Sequence, residues 1–466
     1  MKKLSKTLLV LASFTLLASC GDNAPALEVA ENVFDNGKVY FEAGSKDNIS
    51  VKIDIAGNIS AVSCGRTKAE AGQYSYKDGV LTLAGDFISK LTFGEKDIRI
   101  TADKTATVKA LVCTKVIKTA QEFQDINENL DGTYVLGNDI DLSSIDNFEP
   151  LGRYVSEEDT SNHYFHGILE GNGHTVKNAT VYWSDSVGSN KNVYGNYGTK
   201  FTDVAHVNGD NIGLFQVIGS AGVIRNVNFS NIKVRGRTIV GAIAGNCMGT
   251  VYNCTLDSKC KVEMGTHFYD DDCNMGGAFG IVAGSGNVYN VVSSISNLTL
   301  GGKGDGNDDQ GVYIDYSDEY KGKTDGNGWD HVNNDSCNWW RFCAVDKVDS
   351  NNNKINDSNG APSNGEYAFV GKCWGSVSNC VSRAFNYAPM NGDSRAIYFG
   401  QTHLGVNKPT SGESDMGTLS NCQMLSDDEM KKAENYSAFD TSVWSIKDGS
   451  LPSLIQQYTY LPASQE

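Results

Sequence analysis

The residues best equipped for recognition chemistry lie close together: Trp329, Trp339, Trp340, Arg341 and Phe342. Flat indole and phenyl faces suit the apolar faces of sugar rings, and aromatic groups beside an arginine also anchor protein interfaces. They sit in a stretch, 301–366, rich in Asp, Asn and Gly and otherwise too polar to hide them. Packing against one another as a small loop core is the competing use for these rings. Acidic clusters offer the other chemistry. Asp270, Asp271 and Asp272, or Asp308 and Asp309, could serve with Arg341 or His331 as the carboxylates and base of a polysaccharide-cleaving site. The same oxygens, with Asp305, could hold Ca2+. Asp305, Asn307 and Asp309 keep the first three spacings of a calcium loop, but Gln310 replaces the required glycine and Tyr316 the required glutamate. No nucleophilic triad, phosphate loop, dinucleotide fingerprint or zinc spacing is present. The sequence therefore implies no resident cofactor, with Ca2+ the one ion its acids could take.

These residues must be held by something, and the chain repeats itself around them. Gly222-Val223-Ile224-Arg225-Asn226, Gly249-Thr250-Val251-Tyr252-Asn253 and Gly286-Asn287-Val288-Tyr289-Asn290 share one pattern, which returns at Gly375–Asn379 and Gly417–Asn421. A weaker copy precedes them at Gly173–Asn178. Two residues before each asparagine stands an aliphatic residue, and one residue after it a small or apolar one. In a straight strand those positions face opposite ways, so the chain must bend at the asparagine. A strand–corner–strand unit cannot bury its apolar face alone; copies have to stack, which predicts a parallel β-solenoid with its asparagines in a hydrogen-bonded ladder. The step from Asn226 to Asn253 is a bare rung, and the longer steps carry loops at 183–210, 264–274 and 301–366. Solenoid insertions gather on one face, often the binding face.

Ile212-Gly213-Leu214-Phe215, Val240-Gly241-Ala242-Ile243-Ala244-Gly245 and Met275-Gly276-Gly277-Ala278-Phe279-Gly280 lead into these corners. They resemble the GLUG-type repeats of bacterial surface proteins, which are similar to right-handed β-helix adhesins. The resemblance runs from about Thr119 to Leu454 and implies a right-handed parallel β-helix. The Asp139/Asp141 pair and the closing stretch Trp444, Ile446, Leu451, Pro452 and Leu454 fit the same resemblance as structural parts.

Before the repeats, residues 27–115 read as a separate all-β module, with strands around Val39–Phe41, Ile49–Ile53, Val80–Leu83, Ile98–Thr101 and Val108–Val112. Its size and Gly79–Leu83 through Leu91–Gly94 resemble small immunoglobulin-like sandwiches, which suits a spacer. Thr119–Glu122 and Ser426–Glu429 are capping boxes, each predicting a short helix that seals one end of the solenoid.

At the start, Lys2, Lys3 and Lys6 precede the apolar run Leu8–Leu17, a secretory leader too short to span a membrane. Leu17-Ala18-Ser19-Cys20 resembles a bacterial lipoprotein cleavage box, which implies acyl chains on Cys20. Several chains on one cysteine anchor stably where a single chain does not. Net charge is −17, which excludes nucleic acid as a partner by bulk attraction. Twelve cysteines less Cys20 leave an odd number. Cys254, Cys380 and Cys422 share one rung position and read as stacking core residues; pairings Cys247–Cys254, Cys373–Cys380 and Cys64–Cys113 stay open.

The expected organisation is a leader over 1–19, a tether over 20–26, the immunoglobulin-like module over 27–115, a capped β-helix over 116–456 and a tail over 457–466. The expected role is a lipid-anchored protein of the outer membrane or cell surface that binds a glycan or surface protein through its loops. A lyase or glycoside hydrolase on the same β-helix is the alternative.

Overall fold

A computed structural model describes residues 38–44, 47–53, 55–152, 163–182, 211–236, 239–265, 274–302, 312–315, 365–384, 398–401 and 417–461. The chain is mostly strand, and its larger part is a stack of parallel strands as in a β-helix. Three sheets make the faces of the stack. One rung runs through Ile239–Val240 and Ala244–Cys247 on one face, Thr250–Leu256 on the next and Lys261–Gly265 on the third. The next rung repeats this with Asn274–Gly276, Phe279–Val282, Asn287–Ser293 and Asn297–Gly302. Partners are in register: Val251 lies opposite Ile224 and Val288, and Cys254 opposite Val227 and Val291.

The bend falls where the residue types demanded it. Asn226, Asn253, Asn290, Asn379 and Asn421 all have φ between 51° and 56°, the left-handed region that asparagine tolerates better than other side chains. Bending there lets Val251 and Cys254, three apart, both enter the core. The amides stack as a ladder: Asn253 Nδ2 donates to Asn226 Oδ1 at 3.1 Å and Asn290 Nδ2 to Asn253 Oδ1 at 3.3 Å. Asn290 Oδ1 then has no partner, and a second, shorter ladder starts with Asn421 Nδ2 donating to Asn379 Oδ1 at 2.8 Å. The break coincides with the longest insertion, between Asn290 and Asn379.

The weak first copy does not align on this corner. Val176 pairs with Phe229, while Leu169 takes the place opposite Ile224. Gly171–His174 bulges by two residues, so Asn178 slips to a second left-handed corner. There it accepts from Asn231 Nδ2 at 2.8 Å and donates to Asp141 at 2.9 Å. The glycine-rich segments are the other sharp bends. A Cβ on Gly241 would lie 2.5 Å from Phe279 Cα, so only glycine lets neighbouring rungs close there.

All eight described cysteines are free thiols, which corrects the three pairings the sequence left open. Residues seven apart across a corner are not neighbours; rungs decide neighbours. Cys247 lies in register with Val282 and then Cys373, and Cys254 with Val291.

The Thr119 capping box forms in full over the helix Ala120–Gln124, and Phe123 and Ile126 enter the solenoid core. Thr119→Ala should cost about 1 kcal/mol, read as a shift in denaturation midpoint. The second capping box also forms, with the Ser426 N–H donating to Glu429 at 3.0 Å, but it opens only the 3-10 turns Glu429–Lys431 and Ala433–Tyr436. This segment does not close the end of the stack. Met430, Tyr436, Phe439 and Trp444 pack with Val292 and Val381 on the outside of the bent sheet, because Val291 faces in and its neighbour Val292 faces out. Leu419, Cys422 and Met424 of the last rung stay partly exposed.

The five strand runs read in 38–113 are all present, joined by Ala61–Cys64 and Tyr74–Lys77. They form two small sheets over one core that includes Val39, Phe41, Val51, Leu81, Phe87 and Val108. Its tie to the solenoid is broad. Thr105–Cys113 runs on into the first solenoid strand, Lys115–Ile117, and Tyr40, Leu111, Val116 and Val135 share a cluster with Tyr458 and Tyr460. From the far end the chain therefore returns along the outside of the solenoid. Thr459–Tyr460 adds a parallel strand beside Lys38–Glu42, and Leu461 enters the module's core.

Candidate functional site

Four of the connections leave the solenoid at one edge. Residues 183–210, 237–238, 266–273 and 303–364 all connect the sheet of Thr180–Tyr182, Lys233–Gly236, Lys261–Gly265 and Asn297–Gly302 to that of Asn211–Ile212, Ile239–Val240, Asn274–Gly276 and Gly365–Cys373. The cause is local. The opposite corners are fixed by the asparagines and by tight glycine turns, as at Gly286, where a Cβ would meet the Cys247 carbonyl at 2.3 Å. Length is added most readily where neither constraint applies, although 402–416 enters the glycine corner of the last described rung.

Trp329, Trp339, Trp340, Arg341, Phe342 and the acids Asp270, Asp271, Asp272, Asp305 and Asp309 all fall outside the described residues, as do Cys20, His331 and Asp308. The expectations placed on them stay expectations. One exposed tryptophan is described, but on the opposite, glycine-turned corner. Trp374 follows directly on Gly365–Cys373, the strand into which the longest insertion runs, and is 38% exposed. The Lys372 ammonium sits 4.7 Å from its ring centre. An exposed indole can stack on a sugar ring.

A second polar centre, which sequence reasoning missed, lies where module, solenoid and returning segment meet. Glu170 is 0% exposed. Its carboxylate accepts from Arg225 Nε at 2.7 Å, Asn226 Nδ2 at 3.0 Å and the Asn172 N–H at 2.7 Å. Arg225 also reaches Glu95 of the module at 2.8 Å, Tyr252 at 3.0 Å and Tyr458 of the returning segment at 3.4 Å. Burial opposes the Arg225 charge, but Glu170, Tyr252 and Tyr458 outweigh it and hold the guanidinium's proton above its ordinary range. Glu95 is raised by burial and lowered more by Arg225, so its carboxyl titrates below the ordinary value. Tyr252 in turn stacks on Tyr289 at 4.8 Å. A glutamate closing the apolar run Ile168-Leu169-Glu170 was the available signal, since a charge in a buried strand needs a partner.

Carboxylates beside a base suggest catalysis, but here their geometry is structural. The donors are saturated by protein groups, and the returning segment lies over them. Gly171-Asn172-Gly173-His174 is likewise a dock: Asn172 Oδ1 accepts from the N–H groups of Gln457 at 2.8 Å and Tyr458 at 2.7 Å. His174 is occupied on both ring nitrogens, 3.5 Å from Asp139 and 3.2 Å from Gln456. Asp139 and Asp141 hold turns, accepting from the N–H groups of Thr175 at 2.9 Å and Ser143 at 3.0 Å. A cleft of about 590 Å³ opens beside this junction, lined by Lys38, Glu95, Lys96, Asp97, Lys109 and Tyr458. Asp97 pairs with Lys109 at 2.9 Å and Glu95 with Arg225, which leaves the cleft cationic within an acidic protein. Among the described residues no group of three or more His, Cys, Asp or Glu could hold a metal ion, and no helix is long and apolar enough to cross a membrane.

No protein-family model matches the chain. Over 144 residues it is 29% identical to Halomucin of Haloquadratum walsbyi, a match covering 29% of this chain and 1% of that protein's length. Among solved structures, a Bacteroides ovatus protein described as a "putative immunoglobulin A1 protease" is similar over 73% of this chain and 91% of its own. The identity is 15% and the TM-score 0.33.

Proposed function

We propose that this is a cell-surface binding protein, anchored by lipid at Cys20, that recognises a glycan or glycoprotein through the loops on one edge of a right-handed β-helix of the GLUG-repeat type. The module at residues 38–113 is read as immunoglobulin-like and the whole as adhesin-like. The observation that carries the reading is the shared edge, where the insertions at 183–210, 266–273 and 303–364 all leave the stack. The candidate contacts are Trp329, Trp339, Trp340, Arg341 and Phe342. The likeness to a protein named Halomucin, partial as it is, is in keeping with a surface setting.

The test uses the chain from residue 20 onward carrying Cys20→Ser, incubated with a panel of polysaccharides and mucin-type glycans. Retention and glycan shortening are scored together. The expected result is retention without shortening, weakened about tenfold or more by Trp339→Ala with Trp340→Ala, as truncating an aromatic anchor does, and unchanged by Trp374→Ala on the opposite corner. Shortened chains would turn the reading to a lyase or hydrolase using the loop aspartates. Neither signal would sink the glycan reading.

A further inference from the structure

The last described rung brings two thiols together. Val377 and Ser378 pair with Leu419 and Ser420, and Val381 pairs with Gln423, whose N–H donates to the Cys380 carbonyl at 3.0 Å. Cys380 and Cys422 are therefore direct partners on neighbouring parallel strands. The Asn421–Asn379 amide bond, 2.8 Å, pins the register one residue earlier. Neighbouring strands lie about 4.8 Å apart, inside the roughly 4.4–6.8 Å that a disulfide spans between Cα atoms, and in-register side chains leave the sheet on the same side.

The Cys380 thiol donates to the Ser378 carbonyl at 3.2 Å, and the Cys422 thiol reaches across to the Val377 carbonyl of the Cys380 strand at 3.5 Å. Cys380 is fully buried, whereas Cys422 is half-buried in the last described rung. The neighbouring Cys380 thiol holds Cys422 below its ordinary value, while burial pushes Cys380 up. Cys422 is thus both the more reachable sulfur and the better thiolate.

We propose that Cys380 and Cys422 are an oxidisable pair that forms a disulfide between the last two rungs. A small-molecule disulfide is the oxidant. The Cys422 thiolate attacks one of its sulfurs, making a mixed disulfide and expelling one thiolate. Cys380, giving up its proton, then attacks Cys422 Sγ and expels the second. Two protein thiols are oxidised, one external disulfide is reduced to two thiols, and the protons pass to the leaving groups. The bond ties the last described rung, that of Tyr398–Gln401, Thr418–Ser420 and Gln423–Leu425, to the rung beneath it.

Folded full-length protein is treated with glutathione disulfide, alkylated and digested with trypsin without reduction. The expected result is one cross-linked peptide pair joined through Cys380 and Cys422, a loss of two alkylatable thiols, and full reversal by dithiothreitol. Cys373 lies close enough to affect the same region, its thiol 3.9 Å from the Thr418 carbonyl, and shares a tryptic peptide with Cys380. The link should therefore persist in Cys373→Ser and vanish in Cys422→Ser. A link that moves to Cys373, a reaction that stops at a glutathione adduct on Cys422, or thiols that all remain alkylatable would each overturn the proposal.

Discussion

Arg225→Ala should lower the unfolding free energy by about 3–5 kcal/mol, because it removes one partner of a buried pair and leaves the other uncompensated. Glu170 would keep its Asn226 and Asn172 donors but lose the guanidinium it pairs with. The loss should also loosen the module and the returning segment, since one guanidinium holds Glu95 and Tyr458 as well. A double variant, Glu170→Met with Arg225→Met, should lose less than the two single changes added together, because no orphan charge remains. Urea titration of the four proteins measures this. An Arg225→Ala loss below about 1 kcal/mol would mean the pair contributes no more than an exposed one.

The docking has a pH sense as well. Glu95 has a lowered pKa in the folded protein, so its contact with Arg225 contributes stability above the ordinary carboxylate value. That contribution is lost as pH falls through the lowered one.

Asn253→Ala is the second large effect. Asn253 sits at φ 51°, donates to Asn226, accepts from Asn290 and accepts from Trp444 Nε1 at 3.2 Å. Alanine in the left-handed region costs about 1–2 kcal/mol. Two ladder bonds are lost at about 1 kcal/mol each, and a buried indole N–H is left without its acceptor. The expected total is about 3–5 kcal/mol. Asn253→Gly loses the same bonds without the backbone strain and should recover about 1 kcal/mol. Trp444 fluorescence should shift in both variants, because the ring is 1% exposed beside that amide. Equal stability for the alanine and glycine variants would show that the corner does not need a left-handed residue.

Much of the fold was legible because a solenoid writes its packing into a period. An aliphatic residue two before an asparagine and a small one after it force a bend, and repetition forces a stack; the structure has both. The same rule misplaced Asn178, since a two-residue bulge at Gly171–His174 cannot be seen in spacing alone. The Trp329–Phe342 cluster was legible by residue type, and type says nothing about where a ring points.

What the sequence alone determined is local. It set the corners at Asn226, Asn253 and Asn290, the glycines that let rungs close, the capping box at Thr119 and the positions where length was inserted. Each follows from backbone preference or short-range periodicity. What only the tertiary structure decided depends on residues hundreds of positions apart meeting. Trp444 lies along the side of the stack, Tyr458 reaches Arg225 and Glu95, and Thr459–Tyr460 completes the module's sheet. The cysteines followed the same logic: Cys380 finds Cys422 rather than Cys373 because parallel strands pair by rung, and rung length includes every loop between them.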